Sequence, residues 1–344
     1  MFVLRNYAVA VVFCVVTMLC WGSWANTANL AKDCGWRFEL FYWDYVFGVL
    51  LMALIFAFTL GNIGKVGRKF LGDLRQAEWG KIRSAFIGGM VFNAANILLV
   101  AAIDVAGMSV AFPVGIGLAL VLGVVVNYWA EPKGDPVRLF AGVALIAVAI
   151  VLDAWAYSTI QSESRTVGMI GLGLSLACGL LMGFFYRFVA AAMPEPKPEN
   201  FINMPSGKLS PYSAMVIFSL GILASQIIFN FANILDFLTA APARSAEYFS
   251  GGVWIHLWGI FGGMIWAVGM TFSIIAFGMA GPAISYGLGQ GATMVAAFWG
   301  VVIWREFRDA PSSTTTLILL MFAGYIAGLA LLIFAGTKEK EKPS

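Results

Sequence analysis

Residues 84–107 read SAFIGGMVFNAANILLVAAIDVAG, and residues 258–281 read WGIFGGMIWAVGMTFSIIAFGMAG. Each is an almost uncharged apolar run, long enough to cross a bilayer as a helix, which takes about 20 residues. The two also match one another. Gly88-Gly89-Met90 falls on Gly262-Gly263-Met264 and Ala102 on Ala276, without a gap, at an offset of 174 residues. Further on, Ala106-Gly107 falls on Ala280-Gly281, Gly115 on Gly289 and Gly117 on Gly291. One inserted residue later, Trp129-Ala130-Glu131 meets Trp304-Arg305-Glu306. Self-similarity is the first thing to look for in a chain, because missing it misassigns the whole fold. Here it predicts two similar halves, each made of membrane spans.

Composition agrees. Of the 344 residues, 60% are hydrophobic and 11% charged, against about 25% charged in ordinary globular domains. A soluble chain of this length, roughly two domains, would lack the charge to cover its surface. The 38 glycines and 12 tryptophans suit packed membrane helices, where small residues let backbones approach and Trp sits at the interfaces. A net charge of +3 gives no reason to expect nucleic acid. The four cysteines and the single histidine, His256, have no metal-ligand spacing. No phosphate-binding loop, dinucleotide fingerprint or nucleophile elbow is present, so no enzyme activity is expected.

Ten spans are predicted: 7–31, 39–61, 84–104, 107–129, 138–158, 167–190, 212–236, 254–279, 281–304 and 314–336. The longest polar stretches are 62–83 and 191–211, the second rich in Pro and Asn and expected to be a flexible loop. Of the 21 Lys and Arg residues, an inward amino terminus leaves only Lys32, Arg37, Arg165, Arg244, Arg305 and Arg308 outside. The positive-inside rule therefore predicts that both termini are cytoplasmic, in a plasma or inner membrane. Residues 1–165 and 166–344 are the predicted halves. Five spans per half is an odd number, so the halves are inverted. The fold class is all-α, with ten transmembrane helices as two inverted five-helix repeats. Inverted repeats are a device of secondary transporters, which open a midplane site to each side in turn.

The sequence resembles the drug/metabolite transporter superfamily, and within it the branch of ureide permeases, glucose/ribose uptake porters and the rhamnose–proton symporter. The resemblance is carried by Leu19-Cys20-Trp21-Gly22-Ser23-Trp24, by Tyr42-Trp43-Asp44-Tyr45, and by Gly88-Gly89 with Asn93 and Asn96. Ser285-Tyr286-Gly287 with Gln290, and Trp304-Arg305-Glu306, complete it. The length departs from the compact sugar porters, with extra polar residues at 191–211.

Polar side chains at membrane depth must face protein or a watery cavity. Asn93 and Asn96 share a helical face in the third span. Gln226, Asn230 and Asn233 form a stripe on the seventh, and Tyr286 and Gln290 stand one turn apart on the ninth. With Trp21, Trp24, Asn26, Tyr42 and Trp266, all of these except Asn233 are the expected substrate-binding set, in a midplane cavity lined by spans 1, 2, 3, 4, 7, 8 and 9. Amides both donate and accept, and aromatic faces pack on flat or apolar rings. That chemistry suits an uncharged, polyhydroxylated or ureide-like solute. The alternative is that the amides are interhelical glue.

Pro113, Gly115, Gly117, Gly289 and Gly291 are expected to break helices near the midplane, and Glu131 and Glu306 to act as gates or surface ion pairs. Gly171, Ser175, Gly179 and Gly183 form a small-residue ladder, read as a packing face or a homodimer seam. Asp44, among aromatics inside the second span, is the expected proton-coupling carboxylate, with Glu39 next. The function expected is uptake of a sugar by proton symport. The rivals are a ureide or nucleobase-type permease and a drug or metabolite exporter. No cofactor is called for; the proton gradient supplies the energy, with sodium as the alternative ion.

Overall fold

The computed structural model describes residues 1–106, 111–160, 169–231 and 245–337. Gly107, Arg165, Asn233, Arg244, Lys338, Lys340 and Lys342 lie outside the described residues, as do the side chains of Asp104, Pro113 and Asn230. Among the described residues the regular structure is helical apart from one isolated bridge, Ala77 to Gly207. In a bilayer core every backbone group must find its partner inside the protein, and a helix does this within one segment.

The chain opens with α1 (Tyr7–Ser23), which continues past Trp24 as α2 (Ala25–Asp33), and returns as α3 (Phe38–Phe58). A short α4 (Phe70–Gln76) leads to α5 (Trp79–Ala106). A π-helical turn, Phe112–Ile116, opens α6 (Gly117–Ala130); α7 (Pro136–Ser158) and α8 (Met169–Ala192) follow. The short α9 (Pro198–Ile202) precedes α10 (Pro211–Phe231), and the short α11 (Ser245–Ser250) precedes α12 (Val253–Ala280). One broken span is made of α13 (Pro282–Gly289), α14 (Ala292–Phe298) and a second π-helical turn, Trp299–Ile303; α15 (Ser312–Ala335) comes last.

Local chemistry sets several of these ends. The Asn6 side chain accepts from the Ala8 N–H to start α1, and Asp135 accepts from Val137 and Arg138 to start α7, as N-caps do. Gly281, at φ +80°, ends α12, and Pro282 at the next position starts α13, the glycine-then-proline punctuation expected at a helix boundary.

Nine segments of the described residues are long and apolar enough to cross a membrane. The shorter apolar helix Val114–Ala130 stands where the fourth span is predicted. The all-α membrane fold is as predicted, and the count stands at nine spans plus this shorter helix. Large apolar side chains such as Leu51, Val148 and Leu319 are exposed on the outside, where lipid would cover them.

The helices pack in matching couples. α5 packs on α8 as α1 packs on α12, and α5 on α10 as α12 on α3. α6 packs on α8 as α13 and α14 pack on α1, while α7 pairs with α15, α3 with α10 and α6 with α13. Two four-span groups result: α1, α3, α12 and α13–α14 in one, and α5, α6, α8 and α10 in the other. The crossings also match. A Cβ on Gly48 would run into the Ile260 carbonyl oxygen, and one on Gly263 into that of Tyr45. A Cβ on Gly221 would meet the Phe86 carbonyl oxygen, and one on Gly89 that of Phe218. Phe86 and Ile260 stand 174 residues apart, as do Gly89 and Gly263, while Gly48 and Gly221 stand 173 apart. Glycines at these points let the backbones touch.

The stretch 191–211, expected to be flexible, is instead tied down. Arg68 donates to the carbonyl oxygens of Met204, Pro205 and Lys208, at 2.8, 2.8 and 3.1 Å. Its Nε lies 3.0 Å from Asp73 Oδ1, and Asp73 Oδ2 accepts from Ser210 N–H at 2.7 Å. Lys133 Nζ donates to the Pro196 carbonyl at 2.6 Å. Proline-rich sequence has few N–H donors of its own, and here its carbonyls are taken by side chains from elsewhere. The ladder Gly171, Ser175, Gly179, Gly183 is buried. A Cβ on Gly179 or Gly183 would press on Leu118 or Leu122 of α6. It is a packing face within the chain.

Candidate substrate site

Beyond the glycine crossing, where α3 and α5 both pack against α10, the apolar spans carry a connected set of buried polar groups. The Tyr42 hydroxyl donates to Asn93 Oδ1 at 2.9 Å and accepts from Asn96 Nδ2 at 3.0 Å. Asn93 Nδ2 lies 3.0 Å from Ser225 Oγ, 3.3 Å from Gln226 Oε1 and 3.4 Å from the Ile222 carbonyl oxygen. All five side chains are buried. One donor is left over: Gln226 Nε2 is buried without a hydrogen-bond partner among the described residues. Such a group costs about 1–3 kcal/mol until an acceptor reaches it.

The network occurs at only one of the two matching crossings. At the other, the corresponding positions 173 or 174 residues away hold Met215 for Tyr42, Ala267 for Asn93 and Met270 for Asn96. Met52 and Ala53 correspond to Ser225 and Gln226. The same glycine-mediated crossing therefore packs without any amide.

Beside it lies an aromatic cluster. Trp266 stacks on Trp21 with centroids 5.9 Å apart and an interplanar angle of 11°, and lies 4.4 Å from Phe92, 6.1 Å from Phe218 and 6.4 Å from Tyr45. Tyr45 stacks on Tyr42 at 5.1 Å and meets Trp24 at 4.8 Å. The Trp21 indole N–H and the Tyr45 hydroxyl are also buried without partners among the described residues. In this conformation these rings pack against one another beside the amide network.

Other expected residues lie elsewhere. Tyr286 is fully buried, but its hydroxyl bonds the carbonyls of Ala119 and Met182 at 3.1 and 3.2 Å, away from the amide network. Gln290 is buried at the break between α13 and α14. Asn26 accepts from Trp304 Nε1 at 2.7 Å, near the far end of the broken span. The helix breaks fall where the glycines stand: the π-turn covers Gly115 and runs into Gly117, and Gln290–Gly291 separates α13 from α14. Gly289 also makes room for the Trp21 ring, which a Cβ there would meet at 2.8 Å. Glu306, expected to be a gate or a surface ion pair, accepts from the Tyr157 hydroxyl at 2.7 Å. Glu131 follows α6 as its C-cap.

Asp44 faces α12 rather than the amides. It accepts from the Tyr248 hydroxyl through Oδ1, and its Oδ2 is 2.9 Å from His256 Nδ1. Burial and the neighbouring carboxylate push the Tyr248 hydroxyl well above the ordinary tyrosine range, so it stays a donor. Glu39 lies 3.4 Å from Arg37, which also lies 3.6 Å from Glu247.

Sequence reading missed Ser225, Tyr248 and His256. Ser225 offered no signal, because serines in spans commonly bond their own backbone, as this one does to the carbonyls of Gly221 and Ile222. His256 was visible as a lone titratable group at the start of a span, but its partner is 212 residues away in the chain.

The family model described as Ureide permease matches residues 41–167 and 159–335. The chain belongs to the ureide permease family. Ureide permease 4 of Arabidopsis thaliana is 24% identical, over 99% of this chain and 100% of its own length. Ureide permease 1 of the same plant is 22% identical over the same shares. A probable ureide permease A3 of Vigna unguiculata is 22% identical over 90% of this chain and 98% of its own. A solved crystal structure superposes with TM-score 0.61 at 14% identity, covering 97% of this chain and 99% of the other, which shows a shared fold. The family is one of permeases, as the inverted-repeat reading expected of a transporter. The expected sugar symporter is overturned: the matching family and its relatives are named for ureides.

Proposed function

We propose that this chain carries a ureide across a membrane, binding it between α3, α5 and α10 against the aromatic cluster. A ureide is flat at its urea group and presents carbonyl acceptors and N–H donors in one plane. Asn93, Asn96 and Gln226 offer the same complementary pattern, and the rings of Tyr42, Tyr45 and Trp266 supply faces for a planar group. The observation that carries this reading is the unpaired Gln226 amide nitrogen, at the end of a network found at only one of two matching crossings.

In this proposal residues 1–165 and 166–344 are inverted halves, a division supported by the coupled packing and the reciprocal glycines. Rocking of the two four-span groups would expose the site to each side in turn. Tyr42 bridges the groups at the amide network. Tyr186 bonds Ser273 and Ser285 across them, each at 3.0 Å. The positive-inside rule places both termini in the cytoplasm of a cell bounded by this membrane, with α2 and α11 outside. Uptake is driven by the proton gradient through Asp44; sodium is the rival ion.

The test is uptake into proteoliposomes holding the full chain. Labelled allantoin, a ureide, should enter and be displaced by unlabelled ureides, while a panel of sugars leaves it unaffected. Accumulation should collapse with a protonophore and survive removal of sodium. Displacement by sugars but not by ureides would refute the substrate, and accumulation that needs sodium would refute the ion.

A further inference from the structure

The single histidine of the chain stands in the first turn of α12, and the substrate site makes no use of it. Its Nδ1 lies 2.9 Å from Asp44 Oδ2. The Tyr248 hydroxyl takes the other carboxylate oxygen. Gly259, three residues on, has no side chain, and a Cβ there would collide with the Asp44 Cβ. That gap lets α3 lie close enough for the carboxylate to reach the imidazole. The Asp44 side chain is 3% exposed and the His256 side chain 22%, so one partner is dry and the other touches the surface.

The surroundings of the pair are defined. Trp36 sets a ring edge against His256 at 5.3 Å, and the Tyr248 ring lies 4.7 Å away. From α3 the other charged group is Glu39, held by Arg37 at 3.4 Å; from α11 it is Glu247, also beside Arg37, at 3.6 Å. Lys32 and Asp33 at the end of α2 are exposed. Gly251 leaves space beside the second ring nitrogen, where a Cβ would come within 2.8 Å of Nε2.

We propose that His256 and Asp44 together are the proton-binding site of the carrier, His256 taking the proton at Nε2 from the outer water and Asp44 holding its charge within the membrane. This rests on the proton-coupled reading above. Without the proton, neutral His256 donates through Nδ1–H to the Asp44 carboxylate, and the pair carries one negative charge. Adding one proton at Nε2 gives an imidazolium beside a carboxylate. Both hydrogen bonds to Asp44 are kept and the net charge becomes zero. A charge at membrane depth is costly unless it is paired, so the protonated pair is the form that moves easily through the closed centre. Release of the proton to the inner water returns the pair to its starting form. Coupling to substrate runs through α3, because Tyr42 in the amide network is two residues from Asp44.

The test uses full-length protein in proteoliposomes, with two ureide readouts: accumulation under an inward proton gradient, and exchange of labelled for unlabelled ureide at equal pH. His256→Gln should abolish accumulation, spare exchange, and flatten the dependence of uptake on pH between about pH 5 and pH 8, the range in which a histidine changes charge. Diethyl pyrocarbonate added outside to the wild type should do the same, which covers a variant that does not fold. Wild-type accumulation with an unchanged pH profile in His256→Gln, or after modification, would overturn the proposal. A wild type without ureide exchange would instead remove the substrate reading. The site is then judged by the 15N signal of the one histidine in purified protein. Its Nδ1 resonance should shift in Asp44→Asn, which alters the group Nδ1 faces, and a resonance indifferent to that change would overturn the proposal.

Discussion

At the scale of single residues, the amides could be read in the sequence because a polar side chain in an apolar span needs a reason. Asn93 and Asn96 were predicted to share a face, and both meet Tyr42. Which of the polar residues converge could not be read. Tyr286 belongs to the same expected set as Tyr42, yet its hydroxyl is spent on two backbone carbonyls. Spacing along one helix fixes a face, and only the tertiary crossing decides what that face meets. Tyr42→Phe removes the one hydroxyl joining two amides. It should lower ureide affinity by about tenfold and thermal stability by about 1–3 kcal/mol, because Asn93 and Asn96 each lose a partner. Binding isotherms and melting curves on the purified protein check both. An unaltered affinity would remove Tyr42 from the site.

Elements are held by close backbone approach and by the ion pair of buried Asp73 with Arg68. Gly221 lies on the Phe86 carbonyl, whereas Gly173 faces nothing within 4 Å. Gly221→Ala should cost stability or folding. Gly173→Ala should be neutral or gain up to about 1 kcal/mol from helix propensity. Equal effects in thermal melts would contradict the crossing. Asp73 is completely buried against Arg68 and Ser210 N–H. Arg68→Ala leaves that carboxylate without its countercharge, which costs about 3–5 kcal/mol. Arg68→Ala with Asp73→Asn should recover part of the loss, and a double variant no better than the single one would show that the pair is not the lock. Sequence could not reveal this element, because a Pro- and Asn-rich stretch looks the same whether or not a distant arginine collects its carbonyls.

For the molecule as a whole, span positions and the repeat were legible because lipid imposes a length and a polarity on every helix. The fourth span is the weakest match, seen as the shorter helix Val114–Ala130 after a π-turn. Pro113 and its glycines interrupt the regular hydrogen-bond ladder there. Orientation has a direct check: Cys34 is exposed, Cys14 and Cys178 are buried, and Cys20 is half-buried. An impermeant maleimide added to intact cells should label the wild type and not Cys34→Ala. Labelling only in inverted vesicles would reverse the topology. Substrate class was the least legible property, since a polyol and a ureide both call for amides and rings; the family and its relatives are named for ureides.

The most direct measurement of the central claim is ureide binding to purified Gln226→Leu alongside its melting curve. Gln226 Nε2 has no hydrogen-bond partner among the described residues, so removing it relieves a buried donor while depriving the substrate of one. The account predicts an affinity loss of about ten- to a hundredfold, with thermal stability unchanged or raised. Unchanged ureide affinity together with a lower melting temperature would contradict it, and would make the amide network a structural joint instead of a binding site.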